Sequence, residues 1–268
     1  MSLKKQNQSA ISISVLLDVG KYLLLAAVLT WLLIRGSEGL GYQWQWYRVP
    51  RYLFSLENGR LIAGPLIDGL MLTLKITAVS LVLACAFGLV TALFRLSHSL
   101  VARVIARGYL EFVRNTPLLV QIFFIYFVLA PVLDISRFTS AVLALSLFEG
   151  AYASEIFRAG IVSVQKEQWE AAYSSGLSTA QTYRFVILPQ AVRWMLPPLT
   201  SQAVSLVKDS ALVSTIAIYD LTMQGQAIIA ETFLTFEIWF TVAFIYFLIT
   251  VTLSLTVGLL EHRLRIPV

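Results

Sequence analysis

Trp169-Glu170-Ala171-Ala172-Tyr173-Ser174-Ser175-Gly176, followed further on by Val186-Ile187-Leu188-Pro189, sits in a polar loop at about 161–196 between two apolar stretches. The loop reads as two short helices joined at a fixed turn. Glu170, Ala171 and Ala172 are good helix formers. Gly176 suits a helix C-terminus, where a left-handed residue is needed. Ser178 with Gln181 makes the pattern of a capping box at the start of the second helix. Pro189 lacks an N–H and breaks or kinks that helix, and Pro197-Pro198 precede the next apolar stretch. The two alanines give a low surface able to enter a groove on a partner. Membrane chains usually keep internal loops short, so an ordered loop of this length points to a docking surface for a soluble protein. The plainer alternative is an amphipathic surface hairpin.

Composition supplies the membrane. The chain has 268 residues, 58% hydrophobic and 13% charged, with mean hydropathy +0.77. Soluble domains are about a quarter charged, and a chain this apolar would expose large sticky patches in water. The net charge of +5 is explained by basic residues on one side of a membrane and needs no nucleic acid. The single cysteine, Cys85, lies in an apolar run and reads as a packing residue.

A helix needs about 20 apolar residues to cross a bilayer. Six stretches qualify: 18–34, 66–94, 117–133, 139–160, 197–218 and 238–259. The first is the weakest, and a signal peptide is the alternative there, but no small-residue cleavage site follows it. Long continuous runs without period-two alternation exclude a closed β-barrel. The expected fold is an all-α integral membrane protein of about six spans. An N-terminal helix with an external aromatic loop (1–65) precedes a membrane domain (66–268).

Orientation follows the lysines and arginines. With the N-terminus inside, Lys4, Lys5, Lys21, Arg95, Arg103, Arg107, Arg114, Arg158, Lys166, Arg184, Arg193, Arg263 and Arg265 are inside. Only Arg35, Arg48, Arg51, Arg60 and Arg137 are outside. This favours N-in and C-in and puts the 161–196 loop in the cytoplasm. Tyr42, Trp44, Trp46 and Tyr47 in the loop 36–65 read as an interfacial belt, with contact to an external partner as the other reading.

The spacing around Glu170-Ala171-Ala172, Gly176 and Leu188-Pro189 resembles the coupling loop of permease subunits of ATP-binding-cassette importers. Val186 stands where that family usually has Ile, a swap that keeps shape and apolarity. Five further segments, in order, are similar to the histidine/glutamine permease subfamily, over about 66–265: Leu66 to Leu74, Glu111 to Gln121, Ala151 to Ile161, Val207 to Leu212 and Gln224 to Ala230. The resemblance implies import of polar amino acids across the bacterial inner membrane. It implies an ATPase dimer docked on Glu170, Ala171, Ala172, Gly176, Leu188 and Pro189, a second permease subunit, identical or paralogous, and an external solute-binding protein. ATP and magnesium would bind the partner ATPase. No cofactor is expected in this chain.

Ionisable groups inside spans cost about 2.5–3.5 kcal/mol each on insertion scales and face a bundle interior or a water cavity. Glu149, Glu155, Lys208 and Asp209 stand out, with Gln121, Ser205, Ser210 and Thr215 adding hydrogen-bonding capacity. An amino acid carries an ammonium and a carboxylate, and these residues offer acceptors and donors for both. Ser210, just after Lys208-Asp209, also permits a local helix break that frees backbone groups for substrate. The alternative for each is structural pairing, most directly Glu155 with Arg158 three residues on. Thr116 is expected to cap a helix whose first residue is Pro117.

Other classes fare worse. An ion-gradient-driven secondary transporter would also use midplane charges, but no internal inverted repeat is evident and it needs no docking loop. An intramembrane enzyme would need a nucleophile with a base, or a metal cluster. The two histidines, His98 and His262, form no ligand motif. No phosphate-binding Gly-x-x-x-x-Gly-Lys-Ser/Thr run occurs, so the chain must borrow its energy source.

Overall fold

The computed structural model describes residues 18–32, 34–36, 41–57 and 59–264. Lys4, Lys5 and Arg265 of the orientation argument, and residues 37–40 of the aromatic loop, lie outside the described residues. The chain forms two compact units, 1–45 and 46–268.

The first unit holds helix α1 (Asp18–Gly36), long and apolar enough to cross a membrane. Lys21 pairs with Asp18 at 3.0 Å, which lessens the charge at its start. The second unit opens with a 3-10 turn (Trp46–Arg48) and the one-turn helix α2 (Pro50–Leu53). An antiparallel hairpin of β1 (Phe54–Glu57) and β2 (Arg60–Ala63) follows, with Phe54 opposite Ala63. The hairpin departs from an all-helical reading. Its signal in the sequence is Asn58-Gly59, a dipeptide favoured in two-residue hairpin turns.

Next come α3 (Pro65–Leu96), α4 (Leu100–Arg114) and α5 (Leu118–Leu133), the last with a π-helical stretch at Phe124–Leu129. Then come α6 (Arg137–Val162), α7 (Lys166–Ser174) and α8 (Thr179–Thr182). A π-helical stretch (Tyr183–Ile187) leads into α9 (Leu188–Asp209), which tightens to a 3-10 stretch (Ser210–Ile216). Helices α10 (Leu221–Thr232) and α11 (Thr235–Leu264) close the described chain.

Helices α3 and α6 form the centre. Their contact faces carry small residues: Ser80, Ala84 and Gly88 on one, Ser146, Gly150 and Ala153 on the other. Apolar surface gains little by leaving lipid for protein, so membrane helices associate through close packing and interhelical hydrogen bonds. Ser146 Oγ donates to the Ser80 carbonyl at 3.3 Å across this interface. Ile76, Ile122, Leu145, Leu206 and Val213 meet where α3, α5, α6 and the end of α9 converge.

Gly88 tests this packing. A Cβ there would stand 2.8 Å from Ala153 Cβ and 3.0 Å from the Ser154 nitrogen. Gly88→Val therefore forces α3 and α6 apart, an overpacking cost of about 1–3 kcal/mol. The thermal midpoint of the purified protein in detergent should fall by roughly 5 °C. Gly108→Ala, which meets nothing within 4 Å, should leave it unchanged.

Three expectations are corrected. The stretch expected to span at 197–218 is not among the described helices long and apolar enough to cross a membrane: α9 starts at Leu188 and runs through Pro197 and Pro198. Thr200 Oγ, just after the prolines, donates to the Leu196 and Pro197 carbonyls at 2.9 and 2.7 Å. Pro189 does not end the second loop helix, because the wider π turns before it absorb the missing N–H. Thr116 does not cap α5. Pro117 is the N-cap residue, and Thr116 Oγ turns back to the Phe112 carbonyl at 2.8 Å. Gln121 Nε2 then binds the Val113 carbonyl, the Thr116 carbonyl and Thr116 Oγ at 2.8, 3.0 and 2.8 Å. Gln121 is thus the brace of a corner at which α4 and α5 meet at 107°.

Among the described residues, α1, α3, α6 and α11 are each long and apolar enough to cross a membrane, and α4 with α5 makes a fifth if counted as one bent span.

Candidate functional site

The loop between α6 and α9 is built as two joined helices. Helix α7 ends in a complete left-handed cap: Gly176 has φ +80°, its N–H binds the Tyr173 carbonyl at 3.0 Å, and the Leu177 N–H binds the Ala172 carbonyl at 3.2 Å. These two bonds satisfy carbonyls that a helix end otherwise orphans. The capping box forms at α8, with the Ser178 N–H on Gln181 Oε1 at 2.9 Å and the Gln181 N–H on Ser178 Oγ at 3.4 Å.

The pair is anchored from beneath. Ile161, Val164, Ile187, Ala191 and Met195 form one buried cluster. Trp169 meets Tyr183 edge to face at 5.1 Å, and Gln190 donates to Gln168 at 3.3 Å. The two alanines divide: Ala172 is buried and Ala171 is exposed. Glu170 is exposed and pairs with Lys166 at 3.1 Å, and Tyr173, Leu188 and Pro189 are also exposed. The outward face is therefore Glu170, Ala171 and Tyr173, on a helix whose end is fixed by Gly176.

The intramembrane polar residues separate into three places. Glu149 of α6 is almost wholly buried, 1% exposed. Gln202 of α9 donates Nε2 to Glu149 Oε2, and the Asp209 carboxyl group faces the same side chain. Glu149 Oε1 has no hydrogen-bond donor among the described residues. Gln202 was missed in the sequence. Its signal is spacing, because residues seven apart share a helix face, so Gln202 and Asp209 point to one side.

Lys208 is turned to another side of α9. With Ser201, Ser205, Ser254 and Gly258 it lines a cavity of about 350 Å³ between α9 and α11. Acid pair and cation occupy neighbouring faces of one helix instead of opposing walls. Ser210 sits where α9 passes from α to 3-10 geometry, and its Oγ binds the Val207 carbonyl at 2.7 Å.

Glu155 is the third place. It binds Arg95 of α3 at 2.6 Å, Arg114 of α4 at 3.3 Å and Arg158 of its own helix at 3.3 Å. Arg95 was unforeseen, since nothing in one sequence brings the end of α3 to the end of α6. Glu155 lies away from Glu149 and Asp209, towards the end of the bundle that bears α7. Among the described residues, no three His, Cys, Asp or Glu side chains gather at one point.

The geometry is that of a helical membrane bundle with an outward-facing, capped helix pair between two of its helices. The chain belongs to the binding-protein-dependent transport system inner membrane components, whose pattern covers residues 84–266. It is 41% identical over 204 residues to the glutamine transport system permease protein GlnP of Escherichia coli, spanning 75% of this chain and 93% of that protein. It is 42% identical over 199 residues to the L-cystine transport system permease protein TcyB of Bacillus subtilis, spanning 73% of this chain and 85% of that protein. The crystal structure of an amino acid ABC transporter with histidines aligns with TM-score 0.69 at 39% identity, over 74% of this chain and 94% of that one. The MetNI methionine ABC transporter aligns with TM-score 0.66 at 17% identity, over 75% of this chain and 97% of that one, a likeness of fold.

Proposed function

We propose that this chain is the membrane-spanning permease subunit of an ATP-driven importer of polar amino acids. The observation that carries the reading is helix α7, held rigid by the Gly176 cap and offering Glu170 and Ala171 outward. An ATPase dimer docks there, on this subunit and on a second permease subunit, and binds the ATP and magnesium. An external binding protein delivers the amino acid. The coupling loop, 161–196, faces the cytoplasm, with N-in and C-in spans in the bacterial inner membrane. Membership of a family of transport components, and permease relatives at 41–42% identity, support the class. The glutamine and cystine named for those relatives support a polar amino acid as substrate.

The route for motion follows the backbone. Closure of the ATPases displaces α7. Leu188 and Pro189 open the same helix, α9, that carries Gln202, Lys208 and Asp209. A tilt entering at the loop therefore travels along one helix, through the turn at Pro197-Pro198, to reach the polar groups. Glu149 and Asp209 offer acceptors to the substrate ammonium. Lys208, among serine hydroxyls, offers donors to its carboxylate. Ser210 marks where α9 changes its winding.

The test is uptake into liposomes that hold this subunit with the permease, ATPase and binding protein encoded beside it, with and without trapped ATP, across basic, acidic and neutral polar amino acids. ATP-dependent uptake of one class is the expected result. Uptake driven by an ion gradient without ATP would replace the reading with a secondary transporter.

A further inference from the structure

Helix α4 has three faces. Ala106, Leu110 and Val113 are buried against the bundle, and Tyr109 Oη fixes the helix to α6 through the Leu147 carbonyl at 2.5 Å. At 3.6 residues per turn, Arg103, Arg107 and Arg114 fall within about 40° of one another around the axis. Val101, Ile105 and Phe112 lie about 150° from that strip, and they are 67%, 57% and 64% exposed. An apolar face opposed to a basic strip is the pattern of a helix lying in a membrane surface.

Geometry gives the same placement independently. α4 meets α5 at 107°, so with α5 directed across the bilayer, α4 runs close to its plane. The Arg95–Glu155–Arg114 contacts put α4 at the end of the bundle that bears α7. The local charge is unbalanced. Arg95, Arg114 and Arg158 share the one carboxylate of Glu155, and the Glu111 side chain accepts from Asn115 at 3.0 Å. Arg107 is exposed. Arg103 Nε is buried with no acceptor among the described residues.

We propose that α4 lies in the headgroup layer of the leaflet at the α7 end, with Val101, Ile105 and Phe112 in the acyl region and Arg103 and Arg107 holding the phosphate of an anionic phospholipid. Guanidinium groups match phosphate oxygens two at a time. Their aliphatic stems reach from the helix surface to the phosphate level. The occupant is bilayer lipid: a long exposed apolar face opposed to a basic strip, on a helix near the bilayer plane, matches the hydrocarbon and phosphate that a membrane surface offers side by side.

Two measurements on the full chain test this. In a Cys85→Ala background, a spin label at Ile105→Cys is placed in phosphatidylcholine vesicles with about a third phosphatidylglycerol. The label should collide with oxygen and be shielded from a water-soluble nickel chelate, whereas a label at Glu167→Cys on α7 should meet the chelate freely. Equal access of the chelate to both labels, or shielding of Ile105 from both probes by another protein surface, would overturn the placement. Native mass spectrometry of the detergent-purified chain then counts retained phosphatidylglycerol. Arg107→Gln should lower retention about fivefold relative to wild type, and Arg103→Gln with Arg107→Gln further, while retained phosphatidylcholine stays constant. Arg107 is exposed, so its variant folds even where Arg103 serves packing. Unchanged phosphatidylglycerol in the Arg107 variant would remove the arginines from the proposal.

Discussion

Replacing Gly176 by valine should uncouple ATP hydrolysis from uptake while the protein still enters the membrane. The reason is conformational and not steric. A Cβ at this position meets nothing within 4 Å, but the backbone stands at φ +80°, which costs an L-residue roughly 1–2 kcal/mol and a β-branched one more. That strain weighs against the two cap bonds from Gly176 and Leu177. A penalty of this size disfavours the capped geometry about five- to thirty-fold against its alternatives, which loosens the direction of α7. Asparagine tolerates the left-handed region, so Gly176→Asn should retain uptake within about twofold. ATPase activity and uptake, measured together in liposomes for both variants, decide the matter. Normal ATP-driven uptake by Gly176→Val would remove the coupling role from this turn.

The second large effect is expected at Glu149. Glu149→Gln keeps the volume and a carbonyl acceptor for Gln202, but it removes the charge offered to a substrate ammonium. A hydrogen bond to a charged group is worth about 1.5–3 kcal/mol, so uptake should fall ten- to a hundredfold while the thermal midpoint and ATPase binding persist. Glu149→Leu should in addition destabilise the bundle, because it leaves the half-buried Gln202 amide without its acceptor. Should Glu149→Gln transport at the wild-type rate while Glu149→Leu unfolds, the carboxylate is structural glue and the path lies elsewhere, with the Lys208 cavity as the remaining candidate.

The loop was readable because its signals are local. A glycine where a helix must end left-handed, and a serine three residues before a glutamine, act within a few residues, and the structure forms both caps. The membrane character was readable because lipid leaves a run of apolar side chains no other use. What escaped the sequence is set by contacts between distant residues. Pro197 and Pro198 look like a boundary, yet α9 passes through them, with Thr200 hydrogen-bonded to the carbonyls nearby. The 107° corner before α5 rests on Gln121 binding three acceptors at once, which no periodicity announces. Gln202 belongs with Glu149 only because α6 and α9 cross there. The separation of Lys208 from Asp209 was legible in principle, since adjacent residues on a helix point about 100° apart.

The Glu155 knot has a mechanical consequence. One carboxylate ties the ends of α3, α4 and α6 at the edge from which α7 springs. Those three ends form a single yoke: a push delivered through the loop turns them together and does not splay them. Helix α9 leaves the loop on its other side outside that knot, held to α6 by the apolar packing of Ile161 with Ala191 and Met195. Charge fastens one part of the bundle and packing the other, and the two meet along the seam of α6 and α9, where Glu149 meets Gln202 and Asp209.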